Sequence, residues 1–195
     1  MKGKKKSDEE GRLVSPRLYI LKITLLGSQP PIWRRLAVPG DTTLFLLHHI
    51  IQAAMGWEND HLYEFIINKV HYGDDEIDFS PGVISDRETL LQDVISRARK
   101  KFRYIYDFGD GWQHEILVEK ITVPEAKQHY PYCLDGARAC PPEDCGGIWG
   151  YEDLLAIIND PDHPEYEERF EWLGDNFDPE AFDLAVVNKE LASFQ

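Results

Sequence analysis

Very little in this sequence points to an oxidising compartment, a membrane or a polyanionic partner. Cysteine is scarce, with three in 195 residues, all between positions 133 and 145. An odd, clustered set with no secretory pattern argues against a disulfide framework, so reduced thiols are expected. Long apolar runs are also missing. The longest, Leu44 to Met55, is interrupted by His48, His49 and Gln52 and is too short to cross a bilayer. Residues 1–12 are polar and charged, and no apolar segment of leader type follows them. A soluble, cytoplasmic protein is expected, with no membrane partner. Positive charge is short as well: 21 Lys and Arg face 35 Asp and Glu, a net charge of −14. Residues 141–195 carry fifteen acidic and two basic side chains, a field that repels a phosphate backbone.

What is present is core-forming material. Apolar residues make up 43% of the chain and aromatics 12%, enough to build one packed domain. Residues 1–12, with five basic and three acidic side chains, read as a disordered tail. Residues 13–195 read as a single α+β domain, with a sheet-containing part over 13–132 and a Cys/Pro/Gly loop and acidic helical part over 133–195.

Arg17 to Leu25 alternates apolar and polar, with Tyr19, Leu21, Ile23 and Leu25 on one face, and predicts a strand. Ile32 to Val38 predicts its antiparallel partner. Asp41-Thr42-Thr43 offers N-cap side chains, and Gly56 a stop, for a helix from about Leu44 to Met55. His48 falls on that helix's apolar stripe. His61 to Asn68 alternates again. Val70 to Ser85 reads as a loop with a short strand, and Glu88 to Ser96 as a short helix. Phe102 to Phe108 and Trp112 to Ile121 form the clearest hairpin. A three-residue loop, Gly109-Asp110-Gly111, pairs Phe108 with Trp112, Tyr106 with His114 and Tyr104 with Ile116. That register keeps apolar residues together and puts His114 on the aromatic face. Helices follow near Gly150 to Ile158, from Pro164 to Leu173, and after an Asp178-Pro179 cap. The expected architecture is an antiparallel sheet of about five strands, one early helix packed on it, and a helical C-terminal subregion.

The segment Cys140-Pro141-Pro142-Glu143-Asp144-Cys145-Gly146-Gly147 is the richest in ligand-type side chains. Prolines and glycines steer it into a shaped loop, the kind of element that carries sites. Its cysteine spacing, C-x6-C-x4-C from Cys133, is poor for a zinc knuckle. Glu143 and Asp144 beside Cys140 raise its pKa and disfavour a thiolate nucleophile. Asp107-Phe108-Gly109 resembles the magnesium-binding triplet of protein kinases, but the other kinase motifs are missing. The metal-ligand candidates are His48, His61, His114 and Cys140, for a divalent ion such as zinc or manganese. The catalytic candidates are His114, Asp107, Glu143 and Asp144. Arg97, Arg99, Lys100, Lys101 and Arg103 place five positive charges in seven residues, a candidate nucleic-acid contact.

Several stretches in combination carry a resemblance. They are Pro31-Ile32-Trp33-Arg34-Arg35, Leu47-His48, Gly56-Trp57, His61-Leu62, Tyr106-Asp107-Phe108-Gly109-Asp110 with Trp112 and His114, the Cys140 loop, Gly150-Tyr151 and Phe177-Asp178-Pro179. Over residues 13–195 the chain resembles the plasmid pRiA-type ORF-three-like family, which includes passenger proteins of insertion elements. The resemblance implies a compact α+β domain carried on mobile elements, with no established activity. No serine or tyrosine recombinase constellation accompanies it. The expected role is a non-enzymatic accessory or interaction module with a protein partner. The alternatives are a metal-dependent enzyme or metal-stabilised domain, and a nucleic-acid binder acting through residues 97–103.

Overall fold

The computed structural model describes residues 16–74, 82–174 and 177–195. The tail expected over residues 1–12 and part of the loop expected before Ser85 lie outside the described residues.

Among the described residues, eight strands form one sheet. They are β1 (Leu18–Leu25), β2 (Trp33–Pro39), β3 (Tyr63–Ile67), β4 (Val70–Gly73), β5 (Ile84–Ser85), β6 (Lys101–Tyr106), β7 (Trp112–Thr122) and β8 (Tyr132–Ala137). Their order across the sheet is β5-β4-β3-β6-β7-β1-β2-β8. Every pairing is antiparallel except that of β4 with β5. The helices are α1 (Leu44–Met55), α2 (Leu91–Val94), α3 (Gly147–Ile158), α4 (Tyr166–Leu173) and α5 (Leu184–Leu191).

The class is the expected α+β, but the sheet has eight strands, not about five. The additional ones are short or irregular. β4 spans four residues and β5 two. β8 holds Asp135 and Gly136, pairs only with β2, and breaks register between Arg35 and Leu36. Such a strand has no clean alternation to announce it, because its pairing is supplied by β2. It also crosses residue 133, where the sequence divides into its two expected parts.

Alternation places Tyr19, Leu21, Ile23 and Leu25 of β1 on the inner face, all buried. Tyr104, Tyr106, Trp112, His114 and Ile116 extend that face across β6 and β7. α1 lies over it. Thr43 caps α1 by accepting the Leu46 N–H at 3.1 Å, and Gly56 ends it in the left-handed region at φ 96°. The outer face is polar. There Arg35 makes a two-pronged contact with Glu119 at 2.8 and 3.1 Å, while Lys22 lies over the Trp33 ring.

The β6–β7 hairpin differs from the expected register by two residues. Tyr106 pairs with Trp112, Tyr104 with His114 and Phe102 with Ile116. Asp107 takes φ 54°, its carbonyl accepts the Gly111 N–H at 2.6 Å, and its carboxylate accepts the Gly109 N–H at 2.8 Å. This local Asp107 turn ends the ladder before Phe108, which is 52% exposed. Because the shift is an even number, every side chain stays on its expected face.

The C-terminal helices also start elsewhere than expected. α3 begins at Gly147, ahead of the expected Gly150, with Gly146 in the left-handed region at its N-cap position. α5 is capped by Asp183, whose carboxylate accepts the Ala185 and Val186 N–H groups at 2.8 and 3.1 Å. Asp178 instead closes a turn onto Glu180.

Leu21→Ala would open a cavity at a fully buried site and lower unfolding free energy by about 2–5 kcal/mol, whereas Leu134→Ser would stay within about 0.5 kcal/mol. Urea denaturation of the two variants checks the contrast.

Candidate functional site

Three loops meet at one end of the inner face. The first follows α1 over residues 57–62, the second is the β6–β7 tip over 107–111, and the third is the Cys/Pro/Gly loop over 139–146. Their contacts are specific. Trp57 Nε1–H donates to the Pro141 carbonyl at 2.9 Å. The Glu58 N–H donates to Glu143 Oε2 at 2.9 Å, and the Tyr106 hydroxyl donates to Glu143 Oε1. The same hydroxyl accepts the Asp60 N–H at 3.1 Å. Asp110 Oδ2 accepts the Gly146 N–H at 3.1 Å. Gly147 approaches the Asp110 carbonyl so closely that a Cβ there would collide with it, and its φ is +69°.

His61 sits where the loops converge. Its Nδ1 lies 3.8 Å from Asp107 Oδ1 and its Nε2 3.3 Å from Asp144 Oδ1. One ligand atom from each of the three residues falls within 4.8 Å of the other two, and no other metal-competent group of this kind occurs among the described residues. Asp107 is largely buried and Asp144 is 74% exposed at the side chain, so the cluster opens to solvent on the Asp144 side. Asn59, Asp107 and Asp144 all have left-handed φ values, between 54° and 67°. Asn and Asp tolerate that region better than most residues do.

His48, the expected ligand on α1, is committed elsewhere. Its Nε2 faces Asn59 Oδ1 and its Nδ1 lies 2.7 Å from the Tyr104 hydroxyl, which accepts from Gln52 Nε2 at 2.9 Å. The amide and hydroxyl roles assign the tautomer. Asn59 Oδ1 only accepts, so Nε2 carries the proton and Tyr104 donates to Nδ1. The ring stacks on Tyr63 at 3.4 Å, and burial depresses its pKa to about 3. His114 is fully buried with Trp57 edge-on at 5.3 Å. Neither of its ring nitrogens has a hydrogen-bond partner of good geometry, and burial likewise depresses its pKa to about 3.

The thiols are not gathered as ligands. Burial is the main cause that pushes up the pKa of Cys133, Cys140 and Cys145, that of Cys145 to about 12. The Arg34 guanidinium acts in the opposite direction on Cys140 without reversing the shift. Of the expected ligands His48, His61, His114 and Cys140, His61 alone joins the cluster, and its companions are Asp107 and Asp144 from the catalytic candidates. Glu143 is a brace between loops. Sequence reasoning missed Trp57, Asn59 and Asp60 as structural partners here. The Gly56-Trp57 pair was the one available signal.

Two cavities flank His61. One, of about 590 Å3, is walled by Phe45, Tyr63, Leu62 and Phe108. The other, of about 710 Å3, runs past Trp57, Cys140 and Glu143. The basic segment leads into and begins β6, at the opposite end of that strand from the 107–111 tip. Three of its five charges have partners: Lys100 with Asn68, Lys101 with Glu115 and Arg103 with Gln113.

The fold and this loop-built site define an α+β sheet protein with a polar cluster at the end of the sheet's inner face. The family described as plasmid pRiA4b ORF-3-like protein matches residues 17–186, and the chain belongs to it. It is 41% identical over 171 residues to the uncharacterized protein y4hQ of Sinorhizobium fredii, covering 87% of this chain and 88% of that protein. It is also similar to the crystal structure of MM3350, a protein of unknown function from Methanosarcina mazei Go1. That likeness has a TM-score of 0.81 and 40% identity, and covers 88% of this chain and 98% of the other. No helix among the described residues is long and apolar enough to cross a membrane.

The buried histidines set a pH response. Each has a folded pKa of about 3, below the ordinary 6.5, so the unfolded chain binds the extra proton first as pH falls. Their contribution is therefore intact above pH 6.5 and is lost progressively between about 6.5 and 3. From pH 7 to pH 5 the loss is about 2 kcal/mol per histidine. Urea midpoints across that range check it, and His114→Leu should remove about half of this part of the slope.

Proposed function

We propose that the chain is an accessory interaction module organised around a divalent-cation site at His61, Asp107 and Asp144. The supporting observation is the convergence of one imidazole and two carboxylates from three separate loops, with one ligand atom of each within 4.8 Å of the other two. An imidazole with two carboxylates suits zinc or manganese. The cation would offset the mutual repulsion of the two aspartates and join the hairpin tip to the Cys/Pro/Gly loop. With three protein ligands it would keep positions open on the exposed Asp144 side, where a partner's oxygen ligand could bind. The raised thiol pKa values support a role without a cysteine nucleophile.

Calorimetric titration with Mn2+ and with Zn2+ tests the reading. One equivalent should bind and raise the melting temperature, and His61→Ala or Asp144→Asn should weaken binding by about ten-fold or more. Absence of both heat and thermal shift with either ion removes it.

A second reading, a metal-dependent hydrolase, is favoured because His61 lines both flanking cavities, where a substrate would have room beside the cluster. Turnover of bis-p-nitrophenyl phosphate that requires the cation and disappears in Asp144→Asn would select that reading over the first. Binding of nucleic acid through residues 97–103 is less well supported, given the partners of Lys100, Lys101 and Arg103.

A further inference from the structure

The C-terminal helices α3 and α4 present a second surface next to the cation cluster. α4 has no fully buried side chain, although Leu173 packs against the edge of the core. Its Trp172 is 48% exposed, and Trp149 on α3 is 76% exposed. A contiguous apolar surface rimmed by polar residues marks an interaction site, and Trp172, unlike Trp149, lines such a surface.

Between α3 and α4 runs a groove of about 700 Å3. Leu154, Ile157 and Trp172 supply apolar wall, and Asp153, Asp160 and Glu165 supply charge. Arg169 also borders the groove, but it pairs with Glu165 one helical turn away at 3.3 Å. The surrounding chain has the same sign, with fifteen acidic and two basic residues over 141–195. An apolar floor inside a negative rim selects a ligand with the reverse pattern.

We propose that this groove docks a basic peptide segment of a partner protein. An apolar side chain of that segment sits against Ile157 and Trp172, and flanking Lys or Arg residues reach Asp153 and Asp160. A second copy of this chain is a poor occupant, because it brings an equally acidic surface and like charges oppose each other across an interface. Nucleic acid is excluded by the same field. The inference goes beyond the cation reading. Asp144 borders both places, but Trp172, Asp153 and Asp160 have no part in the cation cluster.

The test uses the full chain and fluorescein-labelled KLLKKLLK, with ELLEELLE and KGGKKGGK as controls, read by fluorescence anisotropy at low salt. The first peptide should bind in the micromolar range. Trp172→Ala and the pair Asp153→Asn/Asp160→Asn should each weaken it by about ten-fold, and both controls should bind by about ten-fold less than the first peptide. Asp107→Asn, which removes a cation ligand, should leave peptide binding unchanged, so the two proposals fail separately. Trp172 is half-exposed and is not part of the hydrophobic core, so its replacement leaves the core side chains in place, and the aspartate pair gives a second, isosteric variant. Equal binding of KGGKKGGK would show bare charge attraction, and equal binding of ELLEELLE would show unspecific apolar adhesion. Either result overturns the proposal. So does failure of KLLKKLLK to bind, or a dimer in sedimentation that Trp172→Ala dissociates.

Discussion

The hydroxyl of Tyr104 is the point on which the arrangement depends. It is fully buried at the middle of the sheet, where an unsatisfied hydroxyl would cost about 1–3 kcal/mol. His48 accepts its proton and Gln52 donates to its oxygen, and both belong to α1. The pair fixes how far along the sheet the helix lies and which way it is turned. Apolar contacts alone would tolerate small slides, whereas directed hydrogen bonds in a low-dielectric interior do not. Helix position then determines where Gly56 ends α1, and so where Trp57, Asn59 and His61 are delivered.

The second layer is built from carboxylates used as braces. Glu143 binds the Tyr106 hydroxyl and the Glu58 N–H, and Asp110 binds the Gly146 N–H. Each joins a loop from one part of the chain to a loop from another. The acidic residues of the Cys/Pro/Gly segment are therefore divided in use. Glu143 faces inward and holds the loops, while Asp144, one residue on and in the left-handed region, faces the solvent beside His61. The cysteines that make this segment conspicuous serve as packing.

Legibility in the sequence followed the strength of local signals. β1 and α1 were readable almost residue for residue, because alternation and a Thr43-to-Gly56 cap pair are written in the chain itself. The hairpin was readable in face but not in register, since the Asp107 turn competes with the ladder over the same residues. α4 was readable as a helix ending at Leu173, but not that it begins only at Tyr166 or that Phe170 and Trp172 stay exposed. His61 was a candidate by type. Asp107 and Asp144 were candidates as well, but which of the many carboxylates would meet His61 was not legible, because the two lie 37 positions apart in a chain rich in aspartate.

By itself the sequence determined the α+β class, the faces of the main strands, the early helix and the acidic character of the C-terminal quarter. These follow from periodicity, capping and composition, which act over a few residues. Only the tertiary structure decided that the sheet has eight strands, that His48 and His114 are sealed into the core, and that His61 meets Asp107 and Asp144. Those outcomes depend on hydrogen bonds and packing between segments far apart in the chain, and no local pattern encodes which distant partner a buried polar group will find.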